Sequence, residues 1–503
     1  MTQPTPPAAP AVRGADLLPP ARFARSFRIP PERRSAAYTA AILVAAAALR
    51  LPGLFQQMWL DEIWSLGLAQ QLDSPLEVFT RIHQDHNNHL NTLWLYVCGP
   101  SQPFFLYRLP AFASGVASVY LAGRAARAWG NIEAVCAMLL TASSFLFIEY
   151  SSEARGYSLS ACCALIAFLG LRRYLHTRSS ASNVWFCLGV IGGFLSHLAF
   201  VQFYLAVGVW SCAARFESSR RWGRWAVDLI RLHAVPVAAI ALLYFGDVRQ
   251  AKIGGGNLLP ATQVLLNTAA LAVGWNVDSG VVSWFAAVFV AVISAAGVMV
   301  LRRDARREWL FFGMLLGVAP LVLFGLVTPG LIYTRHFFVN ILFFHLLASC
   351  VFGWVWNKNC ATQAACSATL LVMAAGNLDQ AIAFWKFGRG DYRGAIDFMA
   401  RHTSGGPIVV GSDHDFRNQV LLRFYVSCSA TGREWSYAPQ NQWPLRGPEW
   451  LLTHSHDVQV RLQSQLRDSA GNRYVLKKQF PHAGLCGWTW ALYHNAAQEP
   501  VPK

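Results

Sequence analysis

The chain has 503 residues, of which 54% are hydrophobic, 13% aromatic and only 14% charged, and its formal net charge is +16. Soluble domains carry about 25% charged residues, so this composition excludes a disordered protein, a coiled coil and a disulfide scaffold. It favours a polytopic membrane protein. Because the basic residues lie between apolar runs, they are typical of topology signals, and we expect no nucleic-acid partner.

The first 35 residues are rich in Pro, Ala and Arg, lack a signal-peptide core, and are predicted to be a disordered cytoplasmic tail. Residues 36–385 are predicted to be the transmembrane domain. A bilayer core of about 30 Å needs about 20 helical residues. On this basis we predict about eleven spans, at 36–55, 107–127, 131–148, 155–175, 183–198, 199–214, 226–245, 281–301, 309–327, 332–356 and 362–382.

The basic residues between these spans are distributed very unequally. If the N-terminus is cytoplasmic, the cytoplasmic segments hold about four times as many Lys and Arg as the opposite segments, which is a strong positive-inside signal. Eleven spans then place the C-terminus outside. We therefore expect a multi-pass protein of a bacterial inner (cell) membrane, surrounded by membrane lipids.

Two segments on the outer side are long enough to have structure. Residues 56–106 contain several tryptophans among polar residues, which suggests helices lying at the interface. Residues 386–503 are predicted to form a small extracytoplasmic α/β domain, with an amphipathic helix at 391–402 and a buried strand that ends in the polar turn within 406–416. Its two cysteines, Cys428 and Cys486, form a disulfide or remain free.

The first outer segment opens with two adjacent carboxylates in MWLDEIWS (58–65), Asp61 and Glu62. A carboxylate among Trp, Leu and Ile has its pKa pushed upward, which suits a general base. An interfacial helix whose acidic side chains merely face water explains the same pattern equally well.

The segment HQDHNNHLN (83–91) is dense in His and Asp. Such a segment can bind a divalent metal ion or orient an acceptor hydroxyl, and an ordinary polar loop is the alternative. The candidate metal ligands are His83, Asp85 and His89, and the candidate acceptor-orienting residues are Asp85 and His86.

Further charged residues lie at the outer boundary. IEYSSEARGYSL (148–159) forms the tip of a predicted hairpin and includes Glu153, Arg155 and Tyr157. Lys252 lies in a glycine-rich loop, and Arg335 lies at the start of a span. Cations there suit a lipid phosphate, although ordinary contact with phospholipid head groups is as good an explanation for each residue alone.

The order of these motifs resembles that of bacterial GT-C membrane glycosyltransferases, the group related to protein O-mannosyltransferases and the aminoarabinose transferase that acts on lipid A. The resemblance covers roughly residues 36–382. It rests on MWLDEIWS, the His/Asp/Asn-rich segment, FFLYRLPAFASGVASV (104–119), YSSEARGYSL (150–159) and YTRHFFV (333–339).

The resemblance implies an inverting transfer from a polyprenyl-phosphate sugar to a lipid, glycan or protein acceptor. It assigns Asp61 as the catalytic base, with Glu62 beside it, and Arg335 as the arginine that binds the donor phosphate, with Lys252 and Arg155 as further candidates. Tyr157 and Glu153 belong to the outer hairpin motif and would orient substrate. A divalent metal ion is compatible with the family but not required by it.

Two alternatives come from other functional classes. A transporter or flippase of a lipid-linked sugar could use the charged residues Asp228, Arg231 and His233 of one predicted span. The absence of an internal repeat in the sequence argues against this alternative. The third possibility is a non-catalytic subunit of a polysaccharide-assembly complex, which would tolerate the loss of Asp61.

Overall fold

The computed structural model describes residues 31–84, 87–219, 222–252, 254, 258–275, 280–304, 306–326, 331–429, 432–457 and 460–498. The predicted tail lies mostly outside these residues. The helices are α1 Pro31–Leu54, α2 Leu60–Ala69, α3 His89–Cys98, α4 Phe104–Ala126, α5 Asn131–Ser143, α6 Phe145–Tyr150, α7 Tyr157–Thr177, α8 Ser180–Ser196, α9 Val201–Ser219, α10 Trp222–Gly246, α11 Ala261–Val273, α12 Gly280–Arg303, α13 Glu308–Gly313, α14 Ala319–Leu326, α15 Phe338–Trp356, α16 Cys360–Phe387, α17 Tyr392–His402 and α18 Asp415–Ser427.

Every predicted span falls on helical residues. Within the described ranges, eight helical segments are long and apolar enough to cross a membrane. The other three predicted spans fall on the short pair α5 and α6, on α8, and on the less apolar α16. The helix α11 was not predicted, because its 13 residues are too few for a span. The predicted multi-pass helical bundle is confirmed.

The bundle is tightly packed around α15, in which every residue from Phe338 to Gly353 is buried. A helix that is apolar on all sides lies in a protein interior or in lipid, and here other helices of the bundle surround it. Close contacts between helices depend on small residues. At Gly189 of α8, an added Cβ atom would lie 2.6 Å from the backbone nitrogen of Ala167 in α7. These packed helices fix the position of the residues at the start of α15.

The C-terminal part of the chain contains one mixed sheet. Its strands are β1 Ile408–Ser412, β2 Trp435–Tyr437, β3 Trp450–Ser455, β4 Gln465–Arg467, β5 Arg473–Phe480 and β6 Thr489–Asn495, in the spatial order β2-β1-β3-β6-β5-β4. β1 is parallel to β2 and β3, and the remaining pairs are antiparallel. The predicted helix and buried strand correspond to α17 and β1, so the small α/β unit is confirmed. We call the face of the bundle that carries this unit the sheet side.

Specific hydrogen bonds attach the sheet unit to the bundle. The carboxylate of Glu149 accepts hydrogen bonds from the backbone N–H groups of Leu485 and Cys486, at 2.8–3.0 Å. The hydroxyl of Tyr425 in α18 donates to the carbonyl oxygen of Met58. Cys486 is a buried free thiol and Cys428 an exposed one, so the possible disulfide between them is not formed.

Candidate active site on the sheet side

Asp61 lies in the first turn of α2, on the sheet side of the bundle. Its residue is only 8% exposed, and its Oδ2 is 3.3 Å from Nη1 of Arg155. Arg155 belongs to the tight turn between α6 and α7. This turn needs Gly156, because a Cβ atom there would lie 1.9 Å from the carbonyl oxygen of Ser196. The turn therefore holds a buried cation next to the Asp61 carboxylate.

The guanidinium of Arg155 has unused hydrogen-bonding capacity. Its residue is 4% exposed, and neither Nε nor Nη1 donates a hydrogen bond to any residue in the described part of the chain. Its Nη2 is 3.5 Å from the hydroxyl of Tyr157, and its guanidinium carbon is 5.7 Å from the centre of that ring. Burial lowers the pKa of Arg155, but Tyr157 and Asp61 outweigh this effect and raise it above its usual value. Arg155 therefore remains charged and can accept a further anionic partner.

Glu62, the neighbour of Asp61, is fully engaged in the structure. Its two oxygens accept hydrogen bonds from Nε and Nη2 of Arg108 at 2.8 and 2.7 Å, and from the backbone N–H groups of Ala154 and Trp59. Burial would raise the pKa of Glu62, but the Arg108 guanidinium outweighs it and holds the pKa below its usual range. Glu62 thus forms a buried ion pair with Arg108, whereas Asp61 contacts Arg155.

Glu153, in the turn between α6 and α7, contacts both the first outer segment and the sheet unit. Its Oε1 accepts a hydrogen bond from the indole N–H of Trp59 at 2.8 Å, and its Oε2 lies 3.7 Å from the thiol of Cys486. Burial raises the pKa of Glu153, while the nearby Arg389 and Arg155 oppose this rise. The carboxylate therefore contacts the first outer segment and the sheet unit together.

Arg335 lies in the short 3₁₀ helix Thr334–Phe337 that leads into α15. Its guanidinium carbon is 4.5 Å from the centre of the Tyr333 ring. Within the described ranges, no carboxylate forms an ion pair with Arg335. It lines a small cavity with Tyr157, His197 and His336. Because Tyr157 contacts both this cavity and Arg155, the structure brings together Asp61, Arg155, Tyr157 and Arg335.

The His-rich segment forms a separate cluster. Nδ1 of His83 is 2.7 Å from Oδ1 of Asp247, and Nε2 of His89 is 2.6 Å from Oδ2 of the same carboxylate. In the described ranges no group of three His, Cys, Asp or Glu side chains has an arrangement that could hold a metal ion. The remaining candidates, Asp85 and His86, lie outside the described residues. The described residues alone do not form a metal site, and because Asp85 lies outside them, the metal site of His83, Asp85 and His89 stays a prediction.

Lys252 contacts the His-rich segment rather than the arginines. Its backbone N–H donates to the carbonyl of His83 at 3.0 Å, and its side chain is exposed. No contact of Lys252 in the described part of the chain reaches Arg155 or Arg335. The structure therefore does not bring Lys252 into the Asp61 site.

Several residues at the site were missed in the sequence. Arg108 is a charge near the outer end of an apolar span, and a charge that becomes buried there requires a partner, so its position was a usable signal. Trp488 and His456 come from the sheet unit, and no local pattern connects them to Asp61. In the polar turn that follows β1, the Asp413 carboxylate lies 2.8 Å from Nδ1 of His454 in β3.

The overall structure is similar to those of known membrane proteins. ArnT from Cupriavidus metallidurans in the apo state has a TM-score of 0.53 at 12% identity, with 94% of this chain and 99% of that chain covered. ArnT from the same organism bound to undecaprenyl phosphate has a TM-score of 0.52 at 11% identity, covering 94% and 100%. AglB from Archaeoglobus fulgidus, in complex with an inhibitory peptide and a dolichol-phosphate, has a TM-score of 0.47 at 11% identity, covering 84% and 69%.

No protein-family model matches the sequence, and no curated protein sequence matches it. At identities this low the structural similarity shows the fold alone. The chain therefore has the GT-C fold that the order of its sequence motifs led us to expect.

Proposed function

We propose that this protein is an integral-membrane glycosyltransferase that transfers a sugar, with inversion, from a polyprenyl-phosphate donor to an acceptor hydroxyl. The observation that carries this proposal is the contact between the buried Asp61 carboxylate and Nη1 of Arg155, whose Nε has no hydrogen-bond partner among the described residues. A base and an anion-binding cation are thereby held side by side. The undecaprenyl phosphate bound to the structurally similar ArnT supports a polyprenyl-phosphate ligand here.

In the proposed reaction, the acceptor hydroxyl attacks the anomeric carbon of the donor sugar while Asp61 removes the hydroxyl proton. The new glycosidic C–O bond forms as the bond from the anomeric carbon to the phosphate oxygen breaks. The polyprenyl phosphate leaves with that electron pair. Arg335 and Arg155 stabilise the negative charge that develops on the leaving phosphate. This mechanism uses only side chains of the chain itself.

We further propose that the sheet side faces the periplasm or the cell exterior, in agreement with the distribution of basic residues. Soluble nucleotide sugars are not available on that side, so a lipid-linked donor is the logical carrier. In this arrangement residues 386–503 form an extracytoplasmic domain.

The transporter alternative loses support from the contacts of its candidate residues. Asp228 pairs with Arg178, with Nη2 and Oδ2 3.6 Å apart. Both ring nitrogens of His233 lie within hydrogen-bonding distance of hydroxyl groups, those of Tyr204 and Ser211. Asp228 and His233 therefore have side-chain partners within the bundle, which explains their presence without a translocation path.

The test is the transfer of label from a radiolabelled polyprenyl-phosphate hexose to membrane fractions. We expect Asp61→Asn to lower the rate about 10²–10⁴-fold, the usual contribution of a general base, with unchanged yield and melting temperature. Asp73→Asn is the matched control, because Asp73 lies in the same outer segment with its side chain 87% exposed. Wild-type activity in Asp61→Asn would remove Asp61 from the mechanism. If the wild type transfers no label, the proposed donor or the enzyme class is wrong, and lipid-sugar translocation in vesicles becomes the next assay.

A further inference from the structure

Two residues of the sheet unit form a short hydrogen bond next to the candidate active site. His456 follows β3, and Trp488 directly precedes β6. The indole N–H of Trp488 donates to Nε2 of His456 at 2.6 Å. An indole nitrogen can only donate, so Nε2 must accept and the proton of a neutral imidazole must be on Nδ1.

The imidazole remains neutral at physiological pH. His456 is partly exposed to solvent, but the protein around its ring lowers its pKa to about 4, with smaller contributions from His482, Arg417 and His454 and an opposing effect of Asp61. Trp488 therefore fixes His456 as a hydrogen-bond donor at Nδ1. Within the described ranges, no residue accepts a hydrogen bond from this atom.

The pair lies close to Asp61. The Trp488 ring contacts Trp59 edge to face, with ring centres 6.5 Å apart, and Trp59 precedes Asp61 by two residues. Trp488 itself is only 3% exposed. The guanidinium of Arg417 lies 5.6 Å from the Trp488 ring centre and fixes the other side of the indole. The indole is thus held rigidly between the first outer segment and the sheet unit.

We propose that His456 binds the acceptor substrate through its Nδ1–H and that Trp488 positions it for this role. This inference rests on the glycosyltransferase function proposed above. The hydrogen bond would go to a second oxygen of the acceptor, next to the attacking hydroxyl, because a donor on the attacking oxygen would lower its nucleophilicity. The acceptor is therefore one that carries two neighbouring oxygens, such as a polyol or a sugar.

Three variants separate this role from a structural one. His456→Ala removes the donor. His456→Gln retains an acceptor near Nε2 for Trp488 but has no donor at the Nδ1 position, and His456→Asn restores an N–H group near that position. His402→Ala is the matched control, because His402 is an exposed histidine of the same unit that contacts Phe398 of its own helix, α17.

The assay uses labelled undecaprenyl-phosphate hexose with graded amounts of a detergent extract of cell envelopes as the acceptor. We expect His456→Ala and His456→Gln to raise the apparent KM for acceptor about tenfold, the usual effect of one lost hydrogen bond, with kcat and the KM for donor nearly unchanged. His456→Asn should recover most of the loss. Extraction with organic solvent and digestion with protease then identify whether the labelled acceptor is a lipid, a glycan or a protein.

The remaining outcomes are also decisive. If the wild type and all His456 variants have the same acceptor KM while Asp61→Asn is inactive, this inference is wrong and the proposed function stands. A fall in kcat and melting temperature with an unchanged acceptor KM would show that His456 is structural, and would overturn the inference. If the wild type transfers no label, the proposed function itself fails.

Discussion

The Asp61–Arg155 region and the Glu62–Arg108 region begin from adjacent carboxylates in the same helical turn, yet they differ in how much hydrogen-bonding capacity they leave open. Glu62 accepts four hydrogen bonds, and Arg108 also donates to the carbonyl oxygens of α1 and the residues that follow it. In Arg155, by contrast, Nε has no acceptor in the described ranges, and Nη1 makes only the 3.3 Å contact with Asp61. We call the Glu62–Arg108 region the closed region and the Asp61–Arg155 region the open region.

The geometry of the α-helix explains this difference. Consecutive residues in a helix point about 100° apart, so Asp61 and Glu62 cannot face the same partner. Glu62 points to α4, where Arg108 is 0% exposed and requires a counter-charge. Asp61 points to the turn that carries Arg155. Two adjacent carboxylates of one helical turn therefore contact two different arginines.

The largest expected effect is on stability, in the closed region. Glu62→Ala should lower the free energy of unfolding by about 3–5 kcal/mol, because it leaves the Arg108 charge buried without a counter-ion. Thermal melting in detergent would show this loss, and Asp61→Ala should lower the melting temperature less, because the contact of Asp61 with Arg155 is longer, at 3.3 Å, than the contacts of Glu62 with Arg108, at 2.7 and 2.8 Å. Equal melting temperatures for the two variants would contradict the distinction between a closed and an open region.

The next effect is on catalysis, in the open region. Arg335→Gln and Arg155→Gln should each lower kcat about 10²–10³-fold, or about 3–4 kcal/mol, because each removes a cation from the developing charge on the phosphate. Melting temperatures should change little for Arg335→Gln. Arg249→Gln is the control, as Arg249 is exposed and distant in sequence from the site. A kcat within threefold of wild type for both variants would indicate that phosphate binds elsewhere.

The sequence predicted the fold better than it predicted the site. Hydropathy located helical residues at every span, since span length is set by the bilayer. It also singled out Asp61, Arg155, Tyr157 and Arg335, which lie together. It could not choose between Asp61 and Glu62, because that choice depends on where Arg108 lies after folding. The sequence also could not predict that Trp488 lies near Asp61, because its position depends on the pairing of β6 with β3, which are far apart in the chain.

The pH dependence of stability tests Glu149, the buried carboxylate that attaches the sheet unit to the bundle. Burial raises the pKa of Glu149 to about 7, from an ordinary value of 4.5, against the opposing effect of Arg389. Since the folded state then binds the proton more tightly, the contribution of Glu149 to stability is full below about pH 4.5, falls as the pH rises to about 7, and is flat above. At 1.36 kcal/mol per unit this amounts to about 3 kcal/mol.

Glu149→Gln should remove this part of the pH dependence of the melting temperature and leave the protein more stable than wild type at pH 8. Glu434→Gln, a change at an exposed acid of the same unit, should leave the slope between pH 4.5 and 7 as it is in the wild type. A wild-type slope in Glu149→Gln would assign the pH dependence to other groups.

The smallest expected effect concerns the His83–Asp247–His89 cluster, in which both histidines contact the Asp247 carboxylate. We expect a chelator to leave both the melting temperature and the transfer rate of the wild type unchanged. His89→Ala should instead lower the free energy of unfolding by about 1–3 kcal/mol, with or without divalent ions, because it leaves one oxygen of the buried Asp247 carboxylate without its partner. If a chelator lowers stability and a single metal ion restores it in the wild type but not in His89→Ala, then the cluster is open to a ligand after all. In that case the unused hydrogen-bonding capacity of Arg155 would no longer distinguish the Asp61 region from the His83–Asp247–His89 cluster as a ligand site.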